Sequence, residues 1–191
     1  FDLDLNIDLG NYKISKLFSF NSILKEFIKS KLLFNDNLNL DMSIHAKTGT
    51  PNTIFQNVKI NFNIVNGKLN FDNTILVNDK VGLLKLNNSN LFLRNNELIL
   101  NADILIAIND SEVLFSLLNT NINSRKEIKN IFINLEYNLS SNQIEFNRIK
   151  VDNNNVNDQF FNIIEGFNDN TSNNLVKSRI LINKLFNVYE G

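Results

Sequence analysis

The sequence predicts a mainly β protein of the α+β class, in which a long, curved antiparallel sheet forms an apolar groove flanked by about three to four short helices. Two observations lead to this prediction. Runs of alternating apolar and polar residues recur along the first 151 residues, as in strands with one face in water. Turns rich in Asn and Gly separate the later runs at intervals of 29 and 46 residues, and the second interval becomes 30 when a predicted 16-residue helical insertion at residues 110–125 is set aside. This repetition predicts that the functional part of the protein is an extended surface.

The N-terminal third alternates between strand and helix patterns. Residues 1–9 alternate without error, which predicts a strand with Asp and Asn on its wet face. Residues 22–34 have apolar side chains at helical spacing after a capping Asn21 or Ser22, and predict a helix. Residues 38–46 and 58–64 alternate on either side of a turn, and predict neighbouring antiparallel strands.

The middle of the chain is predicted to be a series of hairpins. Asn66-Gly67 predicts a type I′ turn, because both central residues of that turn need positive φ. Further strands are predicted at residues 68–71, 81–86, 90–94 and 97–108. Several are apolar on both faces, which predicts a cover on each side. A helix predicted over residues 111–118 is one such cover. The second cover is one of three alternatives: the remaining helices, another part of a longer protein, or a lipid.

The last third changes from strand to helix periodicity. Residues 131–139 and 143–151 predict a hairpin, Asp158 caps a predicted short helix, and Asn173 or Asn174 begins a final helix that runs to Tyr189. We therefore expect one domain over residues 1–191, with the sheet in residues 1–151 and a helical part in residues 158–189, and we expect it to be the C-terminal part of a longer protein.

Composition narrows the function classes. The 19 basic and 20 acidic residues are interspersed and give a net charge of −1, so nucleic acid is not expected as a partner. The absence of Cys is compatible with a reducing or an oxidising compartment. The 40 Asn residues are expected to occupy many positions where Gly, Ser, Thr or Asp is more usual.

Few residues point to catalysis or metal binding. His45 is the only His and is predicted to face solvent, and no Gly-x-Ser-x-Gly elbow presents a serine. With one His and no Cys, a zinc site is not expected. The acids of the first strand lack the Gly and Glu of an EF-hand loop, and no glycine-rich phosphate loop is present. No metal or cofactor is predicted.

The final predicted helix combines basic and aromatic side chains. Lys177, Arg179 and Lys184 accompany Phe186 and Tyr189, which fits either a helix lying on an anionic membrane or a helix packed on the sheet with a solvated basic face. Packing on the sheet is the interpretation we favour.

From Asn37 to Asn109, the order of features resembles that of AsmA-like proteins. The matching parts are an alternating strand ending in Ala and Lys, a second alternating strand, an Asn-Gly hairpin, a turn with Gly, and paired strands before a short Leu-rich helix. They lie at residues 38–47, 58–65, 66–71, 80–83, 91–108 and 113–118. Glycine is scarcer here than in that family, and Asn takes many small-residue positions.

The resemblance implies a Gram-negative periplasmic protein, anchored in the inner membrane by an N-terminal helix outside this sequence. It also implies a non-enzymatic β-groove that holds phospholipid acyl chains during transport between membranes or outer-membrane assembly, with other envelope proteins as further partners. The candidate groove residues are Leu40, Met42, Val58, Ile60, Phe62, Leu69, Phe71, Leu91, Leu93, Leu98, Leu100, Ile104 and Ile106.

Two other classes of function remain open. The first is a β-rich structural or interaction module, such as a cell-surface or phage component, with a closed core and no lipid. The second is an enzyme, which would need a polar pocket around His45 or around the acids of the first strand.

Overall fold

Strands of one mixed sheet account for most of the protein. The computed structural model describes residues 2–10, 30, 32–48, 55–141, 143–168 and 175–189. Within these residues the strands are β1 (Asp2–Gly10), β2 (Asn39–Lys47), β3 (Asn57–Val65), β4 (Lys68–Asn70), β5 (Ile75–Asn78), β6 (Gly82–Arg94), β7 (Glu97–Ile108), β8 (Asn130–Asn138), β9 (Gln143–Val151) and β10 (Asn154–Asn155). Their order in the sheet is β1-β2-β3-β4-β6-β7-β8-β9-β10, and β5 pairs with both β3 and β6. The predicted mainly β class is confirmed.

Three helices and two 3₁₀ turns accompany the sheet in the described residues. The helices are α1 (Ser111–Leu118), α2 (Asp158–Asn168) and α3 (Leu175–Val188), and the 3₁₀ turns are Leu32–Phe34 and Ile122–Ser124. Asp110 caps α1 by accepting hydrogen bonds from the backbone N–H groups of Glu112 and Val113. None of the described helices has the length and apolar character that crossing a membrane requires.

Strand register places most of the apolar side chains on one face of the sheet. Across β2 and β3, Leu40 pairs with Ile64 and Met42 with Phe62. The same face continues through Leu69 to Leu91 and Leu100, and then to Tyr137 and Ile144. We call this side the apolar face. The other side, the polar face, carries mainly Asp, Asn, Ser, Lys and Arg side chains, with some apolar residues such as Ile99.

Two β-bulges keep the apolar face continuous. In β6 the register with β7 shifts between Asn87 and Asn90, so the apolar positions change from even numbers to odd ones. A similar extra residue in β9 lies opposite Asn134 and Leu135 of β8. Because successive strand residues point to opposite faces, one added residue returns the later apolar side chains to the correct side. Asn88, in the β6 bulge, has φ +46°.

Asparagine replaces glycine at many backbone positions. Among the described residues, Asn66, Asn73, Asn88, Asn95, Asn96, Asn119 and Asn153 have positive φ, and Asp152 is the remaining non-glycine residue with this conformation. Asn is one of the few residues that tolerates the left-handed region, because its short amide bonds locally. Asn66 and Gly67 both have positive φ, which confirms the predicted type I′ geometry.

Buried side chains form three clusters against the apolar face. The first centres on Phe62, Ile64, Leu69 and Leu91 and includes Leu33 from the first 3₁₀ turn. The second joins Ile108 and Val151 to Phe115 of α1 and Phe186 of α3, whose rings meet edge to face at 5.2 Å. The third joins Ile149 to Phe160 and Ile164 of α2. The three helices therefore cover the β7–β9 end of the face.

Several sequence predictions differ from the structure. The β1–β2 pair is parallel, whereas an antiparallel sheet is predicted throughout. The two strands predicted at residues 81–86 and 90–94 are one bulged strand, β6. Strand β5 is not predicted from the sequence, because its four residues are too few to show alternation.

The predicted covers also differ. All three described helices pack on the apolar face, so they do not supply covers on opposite sides. The helix predicted at residues 22–34 lies largely outside the described residues, which include only a 3₁₀ turn at Leu32–Phe34.

Candidate functional site

Between the covered ends of the apolar face lies a strip that belongs to none of the three buried clusters. We define this central strip as six side chains of strands β6 to β9: Leu86, Leu93, Ile104, Leu135, Tyr137 and Ile144. Register places Leu86 beside Ile104, and Tyr137 beside Ile144. Every member is apolar or aromatic, and Tyr137 supplies the single hydroxyl group. Leu93 lies beside the β6–β7 turn, and Leu98 and Leu100 of β7 separate it from Tyr137, so the hydrophobic surface is continuous only through those two residues.

Exposure changes sharply at the border of the central strip. Leu93 is 38% exposed and Ile144 is 37% exposed, whereas Leu91 is 1% and Leu98 is 5% exposed. The other four members are partly buried. Burial raises the pKa of the Tyr137 hydroxyl, which places that group at the edge of an apolar environment. The strip is therefore partly shielded from water by its neighbours.

The dimensions of the central strip follow from strand geometry. It crosses strands β6 to β9, which are three inter-strand spacings or roughly 14 Å. Along β7 it extends from Ile104 to the level of Leu98, which is roughly 20 Å. The hydrocarbon layer of one membrane leaflet is about 15 Å thick. An acyl chain lying along the strands therefore fits within the strip.

Hydrogen bonds on the polar face support the strands behind the central strip. Asp103 accepts hydrogen bonds from the side-chain amides of Asn88 and Asn134, each at 2.7 Å. Arg94 binds Glu136 through two hydrogen bonds, which raise the pKa of the guanidinium. These contacts join β6, β7 and β8 directly behind Ile104 and Leu135 and fix the spacing of the side chains on the other face.

The thirteen candidate groove residues all lie on the apolar face, but they differ in accessibility. Eight are at most 9% exposed and form part of the first cluster: Leu40, Met42, Val58, Ile60, Phe62, Leu69, Leu91 and Leu98. Phe71, Leu100 and Ile106 are partly buried beside a cluster, and Phe71 meets Phe62 edge to face at 5.3 Å. Leu93 and Ile104 belong to the central strip.

Four members of the strip are absent from the sequence-based set of groove residues. Leu135, Tyr137 and Ile144 alternate within the predicted β8–β9 hairpin, and their place beside Leu100 depends on pairing between β7 and β8. Leu86 has the opposite parity from Leu91 and Leu93, so only knowledge of the bulge at Asn88 assigns it to the same face. The sequence signal for this bulge is the Asn87-Asn88 pair, because Asn tolerates the positive φ that a bulge residue can require.

The polar face does not arrange Ser43 and His45 as a nucleophile and its base. Asn61 donates its side-chain amide to the carbonyl oxygens of Asp72 and Asn73, so its Oδ1 accepts the Ser43 hydroxyl proton at 3.0 Å. Ser43 Oγ is then the acceptor for His45 Nε2 at 3.2 Å. An activated serine donates to its histidine, so this polarity is the reverse of the catalytic one.

Residues of the types that bind metal ions are scattered through the part of the chain that the structure describes. Asp4 and Asp8 are exposed on the polar face of β1, and no group of three or more His, Cys, Asp or Glu side chains among the described residues is placed to hold a metal ion. In α3, Arg179 and Lys184 are exposed while Phe186 is buried against Phe115. That helix packs on the protein in the way the sequence interpretation favours.

Comparison with protein-family models, with curated proteins and with solved structures finds no match for this sequence. The geometry of the two sheet faces is therefore the basis for proposing a function.

Proposed function

We propose that this protein is a non-enzymatic envelope protein whose apolar sheet face shields phospholipid acyl chains during transport between membranes or outer-membrane assembly. The observation that supports the proposal is the central strip, a partly exposed hydrophobic surface of about acyl-chain length within a continuous apolar face. The resemblance to AsmA-like proteins supports the same class of ligand. It also supports a periplasmic location and an inner-membrane anchor outside this sequence.

The energetics favour an apolar ligand on the strip. Each methylene group moved from water onto an apolar surface contributes about 0.8 kcal/mol, so a chain covering several strip residues gains several kcal/mol. Leu93 and Ile144 supply the most exposed parts of that surface. A lipid headgroup beyond the end of the strip stays in water, which avoids the cost of burying its charge. Such binding needs no general acid, nucleophile or metal.

Mass spectrometry of lipids extracted from the purified protein tests this proposal. We expect phospholipid in stoichiometric amounts with the wild type, and a loss to background with Leu93→Asp or Ile144→Asp, because each places a charge against the acyl chain. Leu117→Asp is the matched control, since Leu117 is 52% exposed on α1 and lies outside the strip. Circular dichroism of each variant checks that the sheet is retained.

A closed interaction module is the second candidate function. It is favoured by the burial of eight groove residues in the first cluster, where the protein itself occupies the space against them. A wild-type protein that carries no lipid and unfolds cooperatively as a monomer would select this module and contradict the acyl-chain proposal.

A further inference from the structure

The polar face has a concavity of about 450 Å³ at the end of the sheet where β1, β2, β3 and β5 lie side by side. Its polar walls include Asp8, His45, Lys47 and Lys59, and Ile75 and Val77 supply apolar surface. A concavity of this volume accommodates a small ligand. We call it the basic pocket. It lies on the opposite face from the central strip, so the two surfaces are independent.

Strand register brings the two lysines of the basic pocket together. Lys59 lies directly across from His45, and Lys47 lies across from Asn57, two residues before Lys59. Diagonal neighbours of this kind are roughly 7–8 Å apart, so both ammonium groups can contact one ligand group. The ion pairs among the described residues join other side chains: Arg94 to Glu136, Arg125 to Glu112 and Lys129 to Glu127. Neither pocket lysine is neutralised by a described carboxylate.

A hydrogen-bond chain fixes His45 at the wall of the pocket. The carbonyl oxygens of Asp72 and Asn73 orient Asn61, which orients the Ser43 hydroxyl, which in turn receives the proton on His45 Nε2. The imidazole is held by this hydrogen bond beside Lys59.

Charge and polarity together define the ligand class. Lys47, Lys59 and Asp8 together contribute a net charge of +1 to the pocket walls, and the half-buried Ile75 and Val77 add apolar contact. We propose that the basic pocket binds one phosphate or carboxylate group carried on a small apolar body. Lysine ammonium groups bind such anions as compact point charges, while their alkyl stems contact the apolar part.

Nuclear magnetic resonance of the His45 ring tests the proposal, because this chain has only one His and its ring signals report on one place. The probes are hexyl phosphate and inorganic phosphate, each titrated into the wild type. We expect saturable shifts with hexyl phosphate and weaker binding of inorganic phosphate. Equal affinity for the two probes would overturn the apolar-body part of the proposal and identify free phosphate as the source of the anion.

Charge variants separate a built site from a general surface effect. Lys47→Gln and Lys59→Gln should each weaken hexyl phosphate binding about threefold to tenfold, and Asp8→Asn should strengthen it about threefold. Lys150→Gln is the control, because Lys150 is on the same face but on β9, far across the sheet. Partial unfolding would weaken binding, so it cannot produce the stronger hexyl phosphate binding that is expected with Asp8→Asn.

Two results would overturn the basic pocket. One is the absence of a saturable His45 shift with either probe. The other is an equal effect of Lys150→Gln and the two pocket variants. Leu93→Asp should leave the shifts of the His45 signals on adding hexyl phosphate unchanged. Failure of the acyl-chain proposal and failure of this one are therefore distinguishable.

Discussion

Leu91 and Leu93 lie two residues apart on β6 and point to the same apolar face, yet the first is 1% exposed and the second is 38% exposed. Leu91 belongs to the first cluster, which extends from β2 to Leu98 of β7, and Leu93 belongs to the central strip. Residue type, strand and face are the same. The difference lies in what packs above them, so alternation decides the direction of a side chain and the cover decides its burial.

The largest expected effect comes from truncating the covered member of this pair. Leu91→Ala should lower the free energy of unfolding by about 2–5 kcal/mol, because it removes a buried side chain and leaves a cavity. Leu93→Ala should cost only about 1 kcal/mol, because much of that side chain is already in water. Urea unfolding of both variants measures the difference, and equal losses would show that the central strip is covered in solution.

The second prediction concerns the bulge that puts Leu91 and Leu93 on the same face as Leu84 and Leu86. Asp72 Oδ1 accepts hydrogen bonds from the backbone N–H and the hydroxyl of Ser89, each at 2.7 Å. Ser89 is buried, so Asp72→Ala should lower the free energy of unfolding by about 1–3 kcal/mol by leaving those donors unpaired. Asp72→Asn keeps an acceptor at the same place and should cost less. If the two substitutions cost the same, the hydrogen bonds do not anchor the bulge.

The smallest expected effect is a pH dependence within the central strip. Burial raises the pKa of Tyr137, so the folded state holds the phenolic proton more tightly than the unfolded state. The resulting stability is complete below the ordinary tyrosine pKa of about 10 and is lost as the pH rises through the folded value. The stability advantage of wild type over Tyr137→Phe should therefore shrink between pH 8 and pH 11.

Urea unfolding of both proteins at several pH values in this range measures the difference. Taking wild type minus variant cancels the titration of the lysines and of Tyr189, whose pKa is also raised by burial and by Asp152. A difference that does not change with pH would show that the Tyr137 hydroxyl is solvated in the folded protein.

Much of the fold is readable from alternation and turn chemistry. The pattern at residues 97–108 predicts β7, that at 111–118 predicts α1, and the Asn66-Gly67 hairpin has the backbone geometry that the turn type demands. These elements are local, and their periodicity lies within one run of residues. The placement of all thirteen groove candidates on one face has the same origin.

The parts that could not be predicted depend on contacts between distant residues. The parallel β1–β2 pairing arises from how the chain crosses the sheet, which alternation within each strand does not specify. The burial of Phe62 and the exposure of Leu93 depend on which elements pack above each one. The basic pocket needs Asp8, His45 and Lys59 to meet across three strands, although each is an ordinary wet-face residue in its own run.

The bulges in β6 and β9 restrict how the length of this chain can change. A one-residue deletion at Asn88 would exchange inside and outside for every side chain of β6 on one side of the deletion, and so would a single insertion elsewhere in that strand. Residues can therefore be gained or lost within these strands in pairs, or singly where a bulge is created or removed. The extra residues in β6 and β9 mark the two strands in which a bulge accommodates a single added residue and keeps the later side chains on their original faces.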